Sequence, residues 1–263
     1  MIEDVNIGFI GFGNMAQALA DGFLFKKVLL PSQIYACARN WDKLCVNTQV
    51  KGINACKTAT ELVNQSDVII IAVKPQMIEE IIIPIKDILQ GKIVVSIAAG
   101  YQFETYESLL LPGTSHISTM PNTPVSIGEG VIIAENQHSL SKEEYNLVDD
   151  LFSKIAILQL VGSNQLSIAG TISGCGPAFA SMFIEALSDA AVKHGLPRDI
   201  AYKLSSQMVA GTGKLQVATG KHPGEIKDAV CSPAGSTIVG VTMLERKGFR
   251  SAVIDAIDAI EIK

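Results

Sequence analysis

Ile7-Gly-Phe-Ile-Gly-Phe-Gly-Asn-Met-Ala-Gln-Ala-Leu19 is the stretch whose reading decides the fold. Val5, Ile7, Phe9 and Ile10 predict a short buried strand, and Met15, Ala16, Leu19 and Ala20 open an apolar helical face just past it. Between them Gly11, Gly13 and Ala16 satisfy G-x-G-x-x-A. In a dinucleotide-binding turn the first glycine permits the sharp bend. The second lets a pyrophosphate approach the backbone, and the small third residue lets helix and strand close up. The helix start then offers unpaired N–H groups to phosphate. On this motif alone a ligand-free glycine turn is an equal reading, since glycine-rich turns are common.

The pattern continues outward as alternating strand and helix. A second strand is expected at Ile34 to Ala38, ending at Arg39-Asn40-Trp41-Asp42. An acid at that end would suit the ribose hydroxyls of NAD, whereas an arginine suits the extra phosphate of NADP. Arg39 stands there, with Asn40 as a second donor, so NADPH is the expected cofactor and NADH the lesser possibility. The bland alternative is a solvated arginine at a strand end. Asp67 to Val73 and Lys92 to Ala98 are apolar and β-branched without alternation, as strands buried on both faces are. They stop at Lys74-Pro75-Gln76 and at Ala98-Ala99-Gly100, where strand carboxyl ends deliver loops to a ligand crevice. Ordinary turn punctuation would explain either stop taken singly. Further strands are expected at Ser115 to Thr119, Val131 to Ala134 and Ile157 to Val161, with a stiff Met120-Pro-Asn122-Thr-Pro124 turn after the first.

From Asn164 onward only helical spacing remains. Phe179, Met182, Phe183, Ala186, Leu187 and Ala190 form one apolar stripe, and Phe249, Ala252, Val253, Ala256 and Ile257 another. Ile172 to Phe179, with Gly174, Gly176 and Pro177, is expected to be a loop with the proline at the first position of a long helix. Asp228 to Ile238 is expected to be a second loop. There Ser232, Gly235, Ser236 and Thr237 gather neutral donors at a helix start, a nest for a carboxylate or, as readily, a plain capped helix. The expected fold class is α/β: a doubly wound, mostly parallel Rossmann domain over 1–162, followed by an all-helical dimerisation and substrate-binding domain over 163–263.

Composition narrows the partners. The 263 residues carry 21 Lys plus Arg against 26 Asp plus Glu, and a net charge of −5 gives no general attraction to nucleic acid or anionic membrane. A small-molecule partner is the expectation. Apolar runs such as Val68 to Val73 are far short of the roughly 20 residues that span a membrane. Five cysteines without C-x-x-C, and acidic Glu3 and Asp4 in place of a signal peptide, fit reduced thiols and a cytoplasmic protein. No metal spacing and no G-x-S-x-G occurs, so metal and nucleophilic mechanisms have no residues to carry them.

Taken together, Gly11-x-Gly13-Asn14-Met15-Ala16, Ala72-Val73-Lys74-Pro75-Gln76, Met120 to Pro124, Ser173 to Ala178 and His222 to Asp228 through Cys231-Ser-Pro-Ala-Gly-Ser-Thr237 resemble the pyrroline-5-carboxylate reductases nearly end to end. The resemblance implies reduction of the cyclic imine 1-pyrroline-5-carboxylate to L-proline by NAD(P)H. It implies a homodimer or an oligomer built from dimers. It also implies that Ser232, Gly235, Ser236 and Thr237 hold the substrate carboxylate, with the Thr237 hydroxyl near the ring nitrogen as the catalytic group. Gly11, Phe12, Gly13, Asn14, Met15, Arg39, Asn40, Ala72, Val73, Lys74 and Pro75 would bind the cofactor, and Lys74, Ala98, Ala99, Gly100 and Asn122 would lie along the nicotinamide. Ala234 departs from the family pattern, standing where the first of two glycines is usual, and so does Cys175, where Ser or another small residue is common. A different NADP-linked enzyme such as a 3-hydroxyacid dehydrogenase, or a sensing module without catalysis, are the alternatives.

Overall fold

The computed structural model describes residues 4–262. In chain order the elements are β1 Ile7–Ile10, α1 Asn14–Phe25, β2 Ile34–Cys37, α2 Trp41–Lys51, β3 Asn54–Ala55, α3 Ala59–Gln65, β4 Val68–Ile71, α4 Ile78–Ile82, β5 Ile93–Ser96 and α5 Phe103–Leu109. Then come β6 Ser115–Pro121, β7 Gly130–Glu135, α6 Lys142–Phe152, β8 Ala156–Val161, and the helices α7 Leu166–Lys193, α8 Arg198–Thr219, α9 Pro223–Ala229, α10 Ser236–Arg246 and α11 Phe249–Glu261. The strands form one sheet in the order β3-β2-β1-β4-β5-β6-β7-β8. Every neighbouring pair is parallel except β6 with β7. The order reverses between β1 and β4, which makes the carboxyl ends of those strands the switch point where a doubly wound sheet takes its ligand.

The sheet is buried on both faces. Ile7, Phe9, Val68, Ile70 and Val95 face one core with Leu19, Phe23 and Phe152, and Ile69, Ile71 and Val94 face the other with Leu62, Ile78 and Tyr106. This explains the unbroken β-branched runs. The chain separates into two compact units, Met1–Gly174 and Cys175–Lys263. Within the second, Phe179, Met182, Phe183, Leu244, Phe249 and Val253 line an apolar groove of about 570 Å³. Met182 keeps 68% of its surface exposed.

Two expectations need correction. Ile172 to Phe179 is not a loop: α7 runs through it, with Pro177 inside the helix. The proline has no N–H for the Ser173 carbonyl one turn back, and that carbonyl takes the Asn122 side-chain N–H instead at 3.0 Å. The helix therefore continues without leaving a buried acceptor unpaired. The turn after β6 also starts later than expected, because that strand includes Met120 and Pro121. Helix α5 has no counterpart among the expected elements.

Helix α1 lies against the Thr123–Ile127 turn at Gly22, where an added Cβ would come within 2.2 Å of the Val125 backbone oxygen. Backbone cannot swing aside as a side chain can. Gly22→Ala should lower stability by about 1–3 kcal/mol, roughly 2–10 °C in a thermal melt. An unchanged melting temperature would show that this contact is loose.

Candidate functional site

The chain leaves β1 through Gly11, whose φ of +92° few other residues adopt. Its N–H donates to the Cys37 carbonyl at 2.9 Å, while the Ala72 N–H donates to the Ile10 carbonyl at 2.8 Å. A Cβ on Gly11 would lie 2.5 Å from the Ala72 oxygen, so the turn is pressed against the end of β4. Gly13 is the opposite case. It caps α1 with no side chain accepting from the first turn, and a Cβ placed on it meets nothing within 4 Å. Free N–H groups and open space coincide at the start of a twelve-residue helix, as a bound pyrophosphate requires.

Above this turn opens a cleft of about 780 Å³, lined by Gly11, Phe12, Gly13, Arg39, Asn40, Ala72, Val73 and Lys74 among others. Eight of the residues singled out in the sequence thus come together. Asn40 uses its Oδ1 to accept the Lys43 N–H at 3.0 Å as the cap of α2, leaving its amide hydrogens toward other partners. The cleft also takes in Gln76, the end of the stop after β4, together with Lys57, Met77 and Glu80, which sequence reasoning missed. Lys57 was findable, since it follows β3 and so lies at the carboxyl edge of the same sheet. Cys37 lines the wall as well, and burial pushes its thiol up to about 11, so it stays protonated and takes no nucleophilic part.

Asn14, Met15, Pro75, Ala98 to Gly100 and Asn122 are not among the residues lining this cleft. Ala98 to Gly100 follows β5, one strand further along the carboxyl edge, where the Ile97 N–H donates to the Ile71 carbonyl. Asn122 follows β6 and is buried, its Oδ1 accepting the Val131 N–H at 2.8 Å and its amide donating to Ser173. In the second unit, Gly235 caps α10 with no side-chain bond, and its N–H donates to the Ser232 carbonyl at 3.0 Å. Ser232, Ser236 and Thr237 are exposed around that open helix start. Among the described residues no group of three or more His, Cys, Asp or Glu could hold a metal.

Comparison with known proteins matches two stretches of the chain. Residues 163–263 match the family model described as pyrroline-5-carboxylate reductase dimerisation, and residues 6–100 match one described as NADP oxidoreductase, coenzyme F420-dependent. A pyrroline-5-carboxylate reductase of Treponema pallidum is 44% identical, covering 97% of this chain and 98% of its own. The chain belongs to the pyrroline-5-carboxylate reductase family. The Escherichia coli member is 38% identical over 95% of this chain and 93% of its own. A Plasmodium falciparum pyrroline carboxylate reductase, solved with NADP bound, superposes with a TM-score of 0.86 at 30% identity, covering 98% and 96% of the two chains.

The two glycines of the turn separate fold from binding. Gly13→Ala should leave the melting temperature unchanged and raise the dissociation constant for NADPH about tenfold or more, the equivalent of at least one charge-assisted hydrogen bond. Fluorescence titration with NADPH reads it. Undiminished affinity would place the pyrophosphate elsewhere.

Proposed function

We propose that this chain reduces the C=N bond of 1-pyrroline-5-carboxylate to give L-proline, the last step of proline biosynthesis. The observation that carries it is end-to-end likeness to curated pyrroline-5-carboxylate reductases, through both the cofactor turn and the helical region. NADPH supplies the hydride when bound. Gly11 to Met15 receive its pyrophosphate at the start of α1. Arg39 and the Asn40 amide at the end of β2 take the extra phosphate, and Ala72 to Pro75 follow the cofactor past β4. Ala98 to Gly100 and Asn122 form the wall beside the nicotinamide. The domains divide functionally into 1–162 for the cofactor and 163–263 for dimerisation and substrate.

Ser232, Gly235, Ser236 and Thr237 hold the carboxylate of the imine. The motive is the open start of α10, where free N–H groups and the helix dipole favour an anion without an arginine. The Thr237 hydroxyl orients the ring nitrogen. A protonated imine accepts hydride readily, so the protein's task is proximity and orientation rather than strong acid catalysis. The apolar groove lined by Phe179, Met182 and Phe249 is covered in a homodimer, the unit of any larger oligomer. All five cysteines are free thiols, which suits the cytoplasm.

Steady-state oxidation of NADPH with 1-pyrroline-5-carboxylate tests the activity directly, and no turnover would end this reading. In that assay Arg39→Ala should raise KM for NADPH far more than KM for NADH, since a charge-assisted phosphate contact contributes roughly 1.5–3 kcal/mol. Equal effects on both would remove Arg39 from the extra phosphate.

The substrate loop has its own test. Thr237→Ala should lower kcat/KM for the imine by roughly ten- to a hundredfold, about 1.4–3 kcal/mol, with KM for NADPH hardly changed. Thr237→Ser should retain most of the activity. Loss of NADPH binding to the same degree would make the loop a plain capped helix.

A further inference from the structure

Glu135, the last residue of β7, is 1% exposed, and none of the roles assigned above uses it. A carboxylate that deep stays charged only if its oxygens are satisfied. One oxygen accepts the Phe103 N–H at 2.8 Å, the first N–H of α5. The other accepts the Ser163 hydroxyl at 2.5 Å. Gln102, the residue before α5, makes no side-chain bond to the helix start, its amide donating instead to the Ser163 carbonyl at 3.5 Å, so the cap comes from Glu135 across 32 positions of sequence. Ser163 sits in the short 3-10 turn Ser163–Gln165 that leads into α7.

Neighbouring polar contacts hold α5 to the same face of the sheet. The Tyr106 hydroxyl donates to Ser96 Oγ at 2.7 Å, and Ser96 Oγ also accepts the Ala98 N–H at 3.2 Å. Glu107 meets the buried His116 ring at Nε2, 2.9 Å away. The turn Ala98 to Gly100 is thus strung between β5 and a helix whose first N–H is held by Glu135. Gly100 itself has a φ of +81°, and the turn makes few backbone bonds of its own. Its position depends on what grips its two ends.

We propose that Glu135 is a positioning residue for the reduction: by holding the first N–H of α5 and the Ser163 hydroxyl together, it fixes the Ala98–Gly100 turn against the residues that lead into α7. The proposal rests on the reading that this turn walls the nicotinamide. A carboxylate accepts at both oxygens and strengthens both bonds by its charge, whereas an amide accepts at one. Glu135→Gln keeps the shape and one acceptor for the Phe103 N–H, but it removes the charge that strengthens both bonds and obliges the Ser163 hydroxyl to turn and accept. The turn then shifts while the adenine half of the cofactor site, on β1 and β2, is untouched.

The test compares NADPH with 2′-phosphoadenosine 5′-diphosphoribose, which lacks the nicotinamide. In Glu135→Gln, kcat with NADPH should fall about tenfold, with a larger primary isotope effect from 4-deuterated NADPH. The inhibition constant of the truncated nucleotide should stay within twofold. Ser163→Ala, which removes the same contact while leaving the Glu135 side chain unchanged, should move the same quantities in the same direction by a smaller amount. Adding it to Glu135→Gln should cost little more, because both act on one contact. A normal kcat and isotope effect in both variants, or equal losses of turnover and truncated-nucleotide binding, would overturn the proposal and leave Glu135 a structural cap. Ala99→Leu places bulk directly in the turn and should depress kcat strongly. If it does while the Glu135 and Ser163 variants are normal, only the positioning role fails. If it does not, the turn is not at the nicotinamide and the proposal falls with that reading.

Discussion

The close crossing of Gly11 over the end of β4 is the contact on which the rest depends. With the Ala72 oxygen 2.5 Å from where a Cβ would sit, only glycine lets the chain turn from β1 into α1 at that height. The turn is fixed from both sides, by the Cys37 carbonyl of the β2 end and by the paired Ala72 N–H to Ile10. Three strand ends are thereby brought level at the point where the strand order reverses. The cleft, the free start of α1, and the approach of Arg39 and Lys74 all follow from that levelling.

What was legible in the sequence was legible because it is local. Buried parallel strands announce themselves by β-branched runs, and β4 and β5 fell where those runs lie, while β1 and β2 fell at shorter apolar stretches that end in the glycine turn and at Arg39. The cleft residues on β1, β2 and β4 followed, since each sits at a strand's carboxyl end. Helix α5 was not legible. Its seven residues bury only Tyr106, and its cap is a carboxylate 32 residues away, so no window of sequence contains the reason it forms. The continuous α7 was hidden for a similar cause. Gly174, Gly176 and Pro177 read as a break, and the compensation for the proline is Asn122, 51 residues before the Ser173 carbonyl it pairs with.

The helical unit raises the opposite question, of apolar surface that its own fold does not use. Ser163–Lys193 is long and apolar enough, by length and composition, to cross a membrane, and little of its most apolar stretch is buried within the chain. Uninterrupted apolar runs had pointed away from any such segment; the helix passes because its apolar residues are interleaved with Ser, Gly and Ala. That interleaving is what close helix-to-helix contact favours. Met182, Phe249 and Val253 stay 42% to 68% exposed around a groove, and the family model over this stretch is one of dimerisation. A second copy of the chain laid on such a face would bury it, which is the chemistry the matched dimerisation model points to.

Ala234 ties the sequence departure to a physical consequence. It stands where the family pattern has a glycine, and its φ is +58°, in the left-handed region. Holding an alanine there costs about 1 kcal/mol relative to the ordinary helical region. The conformation is imposed by its neighbours. Gly235 brings its N–H to the Ser232 carbonyl at 3.0 Å, and a Cβ on Gly235 would crowd that carbonyl at 3.1 Å and the movable Ser232 hydroxyl at 2.4 Å. The strain lies on Ala234, the residue before it. An alanine confined in this way has fewer conformations to sample than the usual glycine, in the unfolded chain as well as in the folded turn. The loss in strain is offset in part by the smaller entropy given up on folding. The loop that opens α10 is thus stiffer here than the family pattern implies, and the N–H groups at the helix start are held in place by it.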